Sequence, residues 1–164
     1  MKAWFGVAAL AGLLASPGVS PSRSSGPRTP VVVELFTSEG CSSCPSAERV
    51  LSRLSAEQPV SGAELIVLSF HVDYWDRLGW VDAFDSPAFT DRQRIYGQAS
   101  NRVYTPQAIV DGQTDCVGSD ESCLRTAIAA AARASKPVIE IVRGAAPDTF
   151  ALDLRVPPSA VVPG

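Results

Sequence analysis

The sequence predicts an α/β fold in which a central mixed sheet is flanked by helices and followed by a C-terminal β-hairpin. Two apolar runs enclose one amphipathic helical pattern early in the chain, and a strand, a helix and a strand in this order form a right-handed unit with parallel strands. A later strand ends on an Asp-Gly turn, which reverses the chain and makes the sheet mixed. The 164 residues are enough for one domain.

The first half of the domain supplies the parallel pair of strands. Residues 31–36 form a near-continuous apolar run with one Glu, which is typical of a strand covered on both faces. Apolar side chains then recur at helical spacing from Cys44 to the stop at Gln58 and Pro59. A second buried strand is predicted over residues 65–70.

The next segments are predicted to return the chain to the same sheet. Ser86 stands before a proline, and this pair forms an N-cap and a first helical residue for a helix over residues 87–96. A strand is predicted over residues 103–110. The Asp-Gly turn at residues 111–112 then leads into a partner strand at residues 114–117.

The last predicted elements are a helix and a β-hairpin. Ser119 is expected to cap the helix, whose acidic first turn matches the helix dipole and which ends at Lys136. Residues 138–142 read as a strand. Apolar and polar residues alternate over residues 149–156, which predicts a hairpin with one face exposed and one buried.

The N-terminus and the composition indicate an exported protein. Lys2 precedes an apolar run at residues 3–15, which is shorter than the roughly 20 residues that span a bilayer. We therefore expect signal cleavage, no membrane span afterwards, and a periplasmic or secreted location. Fourteen basic and 17 acidic residues give a net charge of −3, which argues against nucleic-acid binding.

The sequence is predicted to divide into four units. They are a signal peptide, 1–20, a flexible leader, 21–30, a domain, 31–135, and a C-terminal β extension, 136–164, whose end resembles the start of a further element.

A CxxC motif, Cys41-Ser42-Ser43-Cys44, lies between a predicted strand and the N-terminus of a predicted helix. Unpaired helix N–H groups and the positive end of the helix dipole stabilise a thiolate there. Cys41, which we expect to have solvent access, is the candidate nucleophile, and Cys44 is the candidate resolving thiol. The alternatives are a disulfide that only stabilises an exported domain and one half of a zinc site.

Three distant segments are predicted to meet at the CxxC edge of the sheet. His71 follows the second strand as the motif follows the first, and parallel strands end at the same edge. Tyr104, Thr105 and Pro106 reach this edge if their strand is antiparallel to the other two. His71 is the only histidine, and its pKa suits acid–base work on a thiol. The alternative is a hydrogen-bonded histidine that only orders the following loop.

An aromatic loop is predicted over residues 74–85. Its aromatic side chains form either core packing or a substrate-contact surface. Asp73 and Asp76 are either loop caps or a proton acceptor, and capping is the ordinary role of acids in a loop. The aromatic residues are Tyr74, Trp75 and Trp80.

Three long stretches of the sequence carry a resemblance to a known family. They are ELFTSEGCSSCP at residues 34–45, HVDYWDRLGW at residues 71–80 and VYTPQ at residues 103–107. These stretches resemble a bacterial secreted thioredoxin-like family of unassigned physiological function, within the thioredoxin superfamily. The resemblance implies a thioredoxin-like fold, a redox CxxC motif and a cis-proline at Pro106 that faces the motif, but no substrate.

Cys116 and Cys123 depart from the usual pattern of that family. Their short separation predicts a local disulfide across the turn into the last helix of the domain. A relay pair that exchanges with the CxxC motif and two free or metal-bound thiols are the alternatives.

The leading hypothesis is an exported thiol–disulfide oxidoreductase of thioredoxin fold, which acts on protein thiols or disulfides and needs no bound cofactor. The rival hypothesis is a soft-metal module that holds Cu(I) with the CxxC cysteines and the histidine. A third is a structural domain with inert disulfides. The residues predicted to carry catalysis are Cys41, Cys44, His71 and Pro106, and those predicted to contact substrate are Tyr104, Thr105 and Trp75.

Overall fold

The structure, a computed structural model, describes residues 27–146 and 148–156, with only the backbone at residues 99 and 100. The predicted signal peptide, most of the predicted leader and the last eight residues of the chain lie outside the described residues. No helix of the described part is long and apolar enough to cross a membrane.

The described residues form a four-stranded mixed sheet flanked by helices and a separate two-stranded hairpin, as the predicted α/β class requires. The strand order in the large sheet is β2-β1-β3-β4. In chain order the elements are β1 (Thr29–Thr37), α1 (Cys44–Glu57), β2 (Ala63–His71), a 3₁₀ helix (Asp73–Leu78), α2 (Pro87–Ser100), β3 (Gln107–Val110), β4 (Thr114–Val117), α3 (Glu121–Ala131), β5 (Val138–Arg143) and β6 (Phe150–Arg155).

β1 is the strand on which the sheet is built. It runs parallel to β2, with Thr37 opposite His71, and antiparallel to β3, with Phe36 opposite Gln107. Its side chains are buried on both faces of the sheet, which confirms the interpretation of the apolar run. β1 begins at Thr29, because its pairing with β2 extends over its whole length. The last two residues of the predicted leader therefore belong to the strand.

β2 lies at the edge of the sheet, so the prediction of a buried strand at residues 65–70 is wrong for one of its faces. Ala63 and Leu65 belong to the buried core, but Ile66 and Leu68 are 42 % and 43 % exposed. An apolar run does not reveal how many neighbours a strand has, and β2 pairs only with β1 among the described strands.

β3 is shorter than the strand predicted over residues 103–110, because it begins after Pro106. Proline has no N–H to contribute to a ladder, so it stands just before the strand. The Thr105–Pro106 peptide bond is cis, as the resemblance implied. The predicted turn into β4 is confirmed: Asp111 and Gly112 both have positive φ, 49° and 70°, and the N–H of Gln113 donates to the carbonyl oxygen of Val110 at 3.0 Å.

The predicted N-cap of α2 is confirmed, and the predicted N-cap of α3 is wrong. Ser86 caps α2 as predicted, since its Oγ accepts a hydrogen bond from the N–H of Ala88 at 3.3 Å, and α2 then continues beyond the predicted residue 96. The N-cap of α3 is Asp120 and not Ser119, because the Asp120 carboxylate accepts from the N–H of Cys123 at 3.0 Å. α3 also ends at Ala131, before the predicted stop, since the next turn tightens into i to i−3 hydrogen bonds.

The β5–β6 hairpin forms as predicted, but both of its faces are exposed among the described residues. Ile141 is 67 % exposed and Leu152 on the partner strand is 72 % exposed. Alternation in the sequence predicted one buried face, yet burial also needs a second layer, and the described residues supply none. Lys136, which precedes the hairpin, forms an ion pair with Asp111.

Two apolar layers enclose the sheet. The larger one lies between the sheet and helices α1 and α3, and the smaller one lies on the α2 side, where Phe36 stacks on Phe70 and meets Tyr96 edge-on. Fully buried large side chains in the larger layer are Leu35, Leu51, Leu54, Leu124 and Ile128.

The Cys116–Cys123 disulfide joins β4 to the first turn of α3, as the short separation predicted. No free cysteine remains among the described residues, so both thiols are paired. Cys116 is buried in the larger core layer, and Cys123 packs against that layer. The disulfide therefore fixes the edge strand of the sheet to a helix on its face.

We expect loss of this disulfide to destabilise the fold. In a Cys41→Ser/Cys44→Ser background, further replacement of Cys116 and Cys123 by Ser should lower the free energy of unfolding by about 2.5 kcal/mol, because an eight-residue loop is no longer closed in the unfolded chain. Urea unfolding of the double and quadruple variants measures this difference. Equal midpoints in the two variants would show that the disulfide does not stabilise the domain.

Candidate active site

The Cys41–Cys44 disulfide lies between the end of β1 and the first turn of α1. The Cα atoms of the two cysteines are 5.4 Å apart. Cys41 is 1 % exposed and Cys44 is fully buried, whereas Ser42 and Ser43 between them are exposed. The expectation that Cys41 has solvent access is therefore wrong for the oxidised state, because the turn directs the two serines outward and both sulfur atoms inward.

The N-terminus of α1 is arranged to favour negative charge on a sulfur atom. Cys44 is the first helical residue, and Pro45 follows in the first turn. Ser43, the N-cap, makes no side-chain capping hydrogen bond within the described chain, and its Oγ lies 3.6 Å from Sγ of Cys41. A thiolate formed at Cys41 on reduction would therefore meet a hydroxyl group and the positive end of the helix dipole.

Hydrogen bonds fix the loop that carries Cys41. Ser38 accepts two hydrogen bonds, both at 3.1 Å. Its carbonyl oxygen accepts from the N–H of Cys41, and the Oγ of Ser38 accepts from the N–H of Gly40. The N–H of Glu39 donates to Oδ2 of Asp82 at 2.8 Å. The loop is thus tied to itself and to a distant segment of the chain.

His71 lies at the same edge of the sheet as the CxxC motif, where the parallel pairing predicted it. It ends β2 opposite Thr37, and the next N–H, that of Val72, donates to the carbonyl oxygen of Thr37 at 2.9 Å. Nδ1 of His71 lies 2.7 Å from Oδ2 of Asp82. The imidazole is about one-fifth exposed, and the ring of Phe84 packs against it edge-on at 5.5 Å.

Asp82 is the residue of this site that sequence reasoning missed. Its side chain is completely buried, and it accepts hydrogen bonds from His71, from the N–H of Glu39 and from the N–H of Phe84. Burial alone would raise the pKa of Asp82, but these hydrogen bonds outweigh it and lower the pKa. The only signal in the sequence was an acid between apolar residues in the aromatic loop, which is common in loops.

Trp75 bridges the CxxC loop and the segment before β3. Its Nε1–H donates to Oγ1 of Thr105 at 2.9 Å. A methyl group added at Gly40 would lie 3.2 Å from Cβ of Trp75. Two of the predicted substrate-contact residues, Trp75 and Thr105, therefore contact each other, and Trp75 also lies beside Gly40, the residue before Cys41.

Trp80, the third aromatic residue of the predicted loop, lies at the surface and not in the core. It is 63 % exposed, and its Nε1–H donates to Oε2 of Glu39 at 2.9 Å. Tyr74 lies beside Trp75, with ring centroids 6.5 Å apart, and burial raises the pKa of its hydroxyl. Tyr74 and Trp75 lie within the 3₁₀ helix, whereas Trp80 follows its end.

Asp73 and Asp76 make hydrogen bonds that hold the aromatic loop in place. Oδ1 of Asp73 accepts from the hydroxyl of Thr90 at 2.6 Å, and Oδ1 of Asp76 accepts from the N–H of Asp82 at 3.2 Å. Both carboxylates thus hold the loop to itself and to α2, which agrees with the ordinary role of acids in loops.

Tyr104 is hydrogen-bonded to β4 and to α2. Its hydroxyl donates to Asp115 on β4, and its carbonyl oxygen accepts from Nε2 of Gln93 on α2 at 2.7 Å. Burial and the neighbouring Asp115 carboxylate raise the pKa of the Tyr104 hydroxyl. Of the residues predicted to contact substrate, Trp75 and Thr105 are bonded to each other, whereas the Tyr104 side chain is bonded to β4.

No cluster of three or more His, Cys, Asp or Glu side chains among the described residues is placed to hold a metal ion. Cys41 and Cys44 are paired with each other, and His71 is hydrogen-bonded to Asp82. The donor set of the copper hypothesis is therefore not gathered at one point.

Comparisons with known proteins give a family and a structural relative. A family model described as "Protein of unknown function (DUF1223)" matches residues 32–160. A crystal structure of protein AGR_C_4864 from Agrobacterium tumefaciens is similar, with a TM-score of 0.63 and 36 % sequence identity over 76 % of this chain. The chain spans 55 % of the length of that protein. No curated protein matches the sequence.

A Gly40→Ala substitution should disturb the contact between the CxxC loop and Trp75. The added methyl group would be closer to Trp75 than ordinary van der Waals contact, and such overpacking costs about 1–3 kcal/mol. We expect altered tryptophan fluorescence and a lower midpoint of urea unfolding. Ser42→Ala, an exposed change in the same loop, is the control. Unchanged fluorescence and stability in Gly40→Ala would contradict the described contact.

Because the pKa of Asp82 is lowered in the folded state, the free energy of unfolding depends on pH in a defined direction. Ionised Asp82 stabilises the folded state at neutral pH, and this contribution is lost as the pH falls through its folded pKa, below the ordinary 3.8. The amide proton shifts of Glu39 and Phe84 should therefore titrate together with a midpoint below 3.8. Asp82→Asn should abolish this common transition. A midpoint above the ordinary value would contradict the described hydrogen bonds.

Proposed function

The chain belongs to the DUF1223 family of proteins of unknown function, and from that premise we propose that it is an exported thiol–disulfide oxidoreductase with a thioredoxin-like fold. The observation that carries this proposal is the position of the Cys41–Cys44 disulfide between the end of β1 and the N-terminus of α1. An inert disulfide needs no such position, whereas a redox pair gains a stabilised thiolate from it.

Two further segments at the same edge support the redox role. His71 ends β2 beside the loop that carries the motif, and it supplies an imidazole for proton transfer to and from sulfur. Thr105 and Pro106 stand at the start of β3, which is paired with the end of β1. In the thioredoxin superfamily a CxxC motif faces a Thr-Pro segment, and the pairing of β1 with β3 brings the corresponding segments of this chain to one edge of the sheet, which supports a thioredoxin-like fold.

The proposed reaction moves two electrons between the cysteine pair and a substrate sulfur pair. The Cys41 thiolate attacks one sulfur of a substrate disulfide, and the other substrate sulfur leaves as a thiolate that takes a proton from His71. The Cys44 thiol then gives its proton to His71, attacks Sγ of Cys41 and releases the first substrate sulfur as a thiolate. Cys41 and Cys44 are thereby oxidised to a disulfide, and the substrate disulfide is reduced to two thiols. The reverse sequence oxidises a substrate dithiol.

The substrates we propose are proteins with accessible thiols or disulfides in the periplasm or outside the cell. The predicted signal peptide directs the chain there, and disulfides persist in such oxidising compartments. Both sulfur atoms are buried in the oxidised form, so an attacking thiolate has to displace neighbouring side chains before it reaches Cys41. A flexible polypeptide segment can do this more readily than a rigid folded surface.

Trapping of mixed disulfides tests this function. A Cys44→Ser variant cannot resolve the bond between Cys41 and a substrate, so covalent complexes with exported proteins should accumulate. Nonreducing electrophoresis after acid quenching detects them, and mass spectrometry names the trapped proteins. Cys41→Ser is the matched control and should trap nothing. If Cys44→Ser traps no protein although its Cys41 is alkylated readily, the oxidoreductase function is wrong.

A further inference from the structure

One buried carboxylate connects the histidine to the loop that carries the candidate nucleophile. Oδ2 of Asp82 lies 2.7 Å from Nδ1 of His71 and accepts from the N–H of Glu39 at 2.8 Å. Oδ1 of the same carboxylate accepts from the N–H of Phe84 at 2.9 Å. Both oxygen atoms are therefore used, and the side chain has no exposed surface.

The ionised Asp82 carboxylate determines which nitrogen of the His71 ring carries a hydrogen. An ionised carboxylate is only an acceptor, so the nitrogen that faces it, Nδ1 of His71, has to carry a hydrogen. In neutral His71 the lone pair is then on Nε2, which is the atom left to take up a proton or to release one from the imidazolium. The burial of the carboxylate holds the ring in this orientation.

Other acids near Asp82 do not take over this role. Asp76 accepts from the N–H of Asp82, and Asp73 accepts from Thr90. The neighbouring Asp76 carboxylate, burial and the charges of Asp82 and Asp73 raise the pKa of Asp85. Glu39, from the loop after β1, directs its carboxylate to Trp80. Among the described acids, Asp82 is the one whose carboxylate is hydrogen-bonded to the His71 ring.

We propose that Asp82 is a positioning residue of the redox site, which holds His71 with Nε2 as its proton-transferring atom. This inference rests on the proposed oxidoreductase function. Asp82 touches neither sulfur nor substrate and acts through His71. In the reaction above, Nε2 gives a proton to the leaving thiolate, and the Asp82 carboxylate stabilises the imidazolium that takes part in this transfer.

The tautomer of neutral His71 in the wild-type protein gives the first test. Because His71 is the only histidine, its ring nitrogens are the only imidazole signals in a ¹⁵N NMR spectrum of the untagged mature chain. We expect the neutral form to carry its hydrogen on Nδ1. A predominant Nε2–H tautomer would overturn the proposal without any variant.

A double-mutant cycle gives the second test. We expect Asp82→Asn and His71→Gln each to slow the reduction of Cys41–Cys44 by dithiothreitol at neutral pH at least tenfold, since general acid catalysis is worth roughly 10²–10⁴-fold. The double variant should be no slower than His71→Gln alone, because Asp82 acts through the histidine. Mass spectrometry of alkylated peptides follows this pair separately from Cys116–Cys123.

The controls separate positioning from a purely structural role. Asp111 is another loop acid, and it lies away from the redox site. Its carboxylate accepts from the N–H of Val32 and forms an ion pair with Lys136. Asp111→Asn should leave the rate of disulfide reduction unchanged. If Asp82→Asn slows reduction further in the absence of His71, or does not slow it at all, the positioning role is wrong. If the wild-type disulfide exchanges with no protein substrate while Nδ1 carries the hydrogen, the oxidoreductase function fails and the Asp82–His71 pairing stands.

Discussion

Pairing of β1 with β2 on one side and with β3 on the other is the constraint on which the site depends. The parallel register places Thr37 opposite His71, and the antiparallel register places Phe36 opposite Gln107, directly after Pro106. A shift of one residue in either register would turn every side chain of that strand to the other face. The buried apolar side chains of β1 on both faces therefore fix the position of the candidate site as well as the core.

β1 and its neighbour β3 carry polar side chains on the α2 side of the sheet, where these side chains form specific hydrogen bonds. Glu34 is 4 % exposed and binds Arg92 and the hydroxyl of Tyr96, whose pKa is raised to about 12 by burial and by the Glu34 carboxylate. Gln107, at the start of β3, is bonded to Gln93 on α2 at 2.9 Å. Buried polar groups cost free energy when they are unpaired, so these contacts favour one position of α2 over others.

How far the sequence predicted the structure depended on the range of the interaction. The apolar run of β1, the turn at Asp111 and the pairing of Cys116 with Cys123 rest on short-range patterns, and each was predicted. Asp82 was missed because its partners are 11 and 43 residues away, and no local pattern encodes such a hydrogen bond. The exposed faces of β2 and of the β5–β6 hairpin were missed because burial depends on neighbouring layers, which periodicity does not report.

The spacing of the four cysteines has a consequence for oxidative folding. Both native disulfides close short loops, with sequence separations of 3 and 7, whereas any bond between the two pairs would close a loop about ten times longer than the larger of these. Loop-closure entropy disfavours such a crossed bond by about 2 kcal/mol. The unfolded chain therefore forms its native bonds preferentially, so correct oxidation needs an oxidant but little disulfide isomerisation.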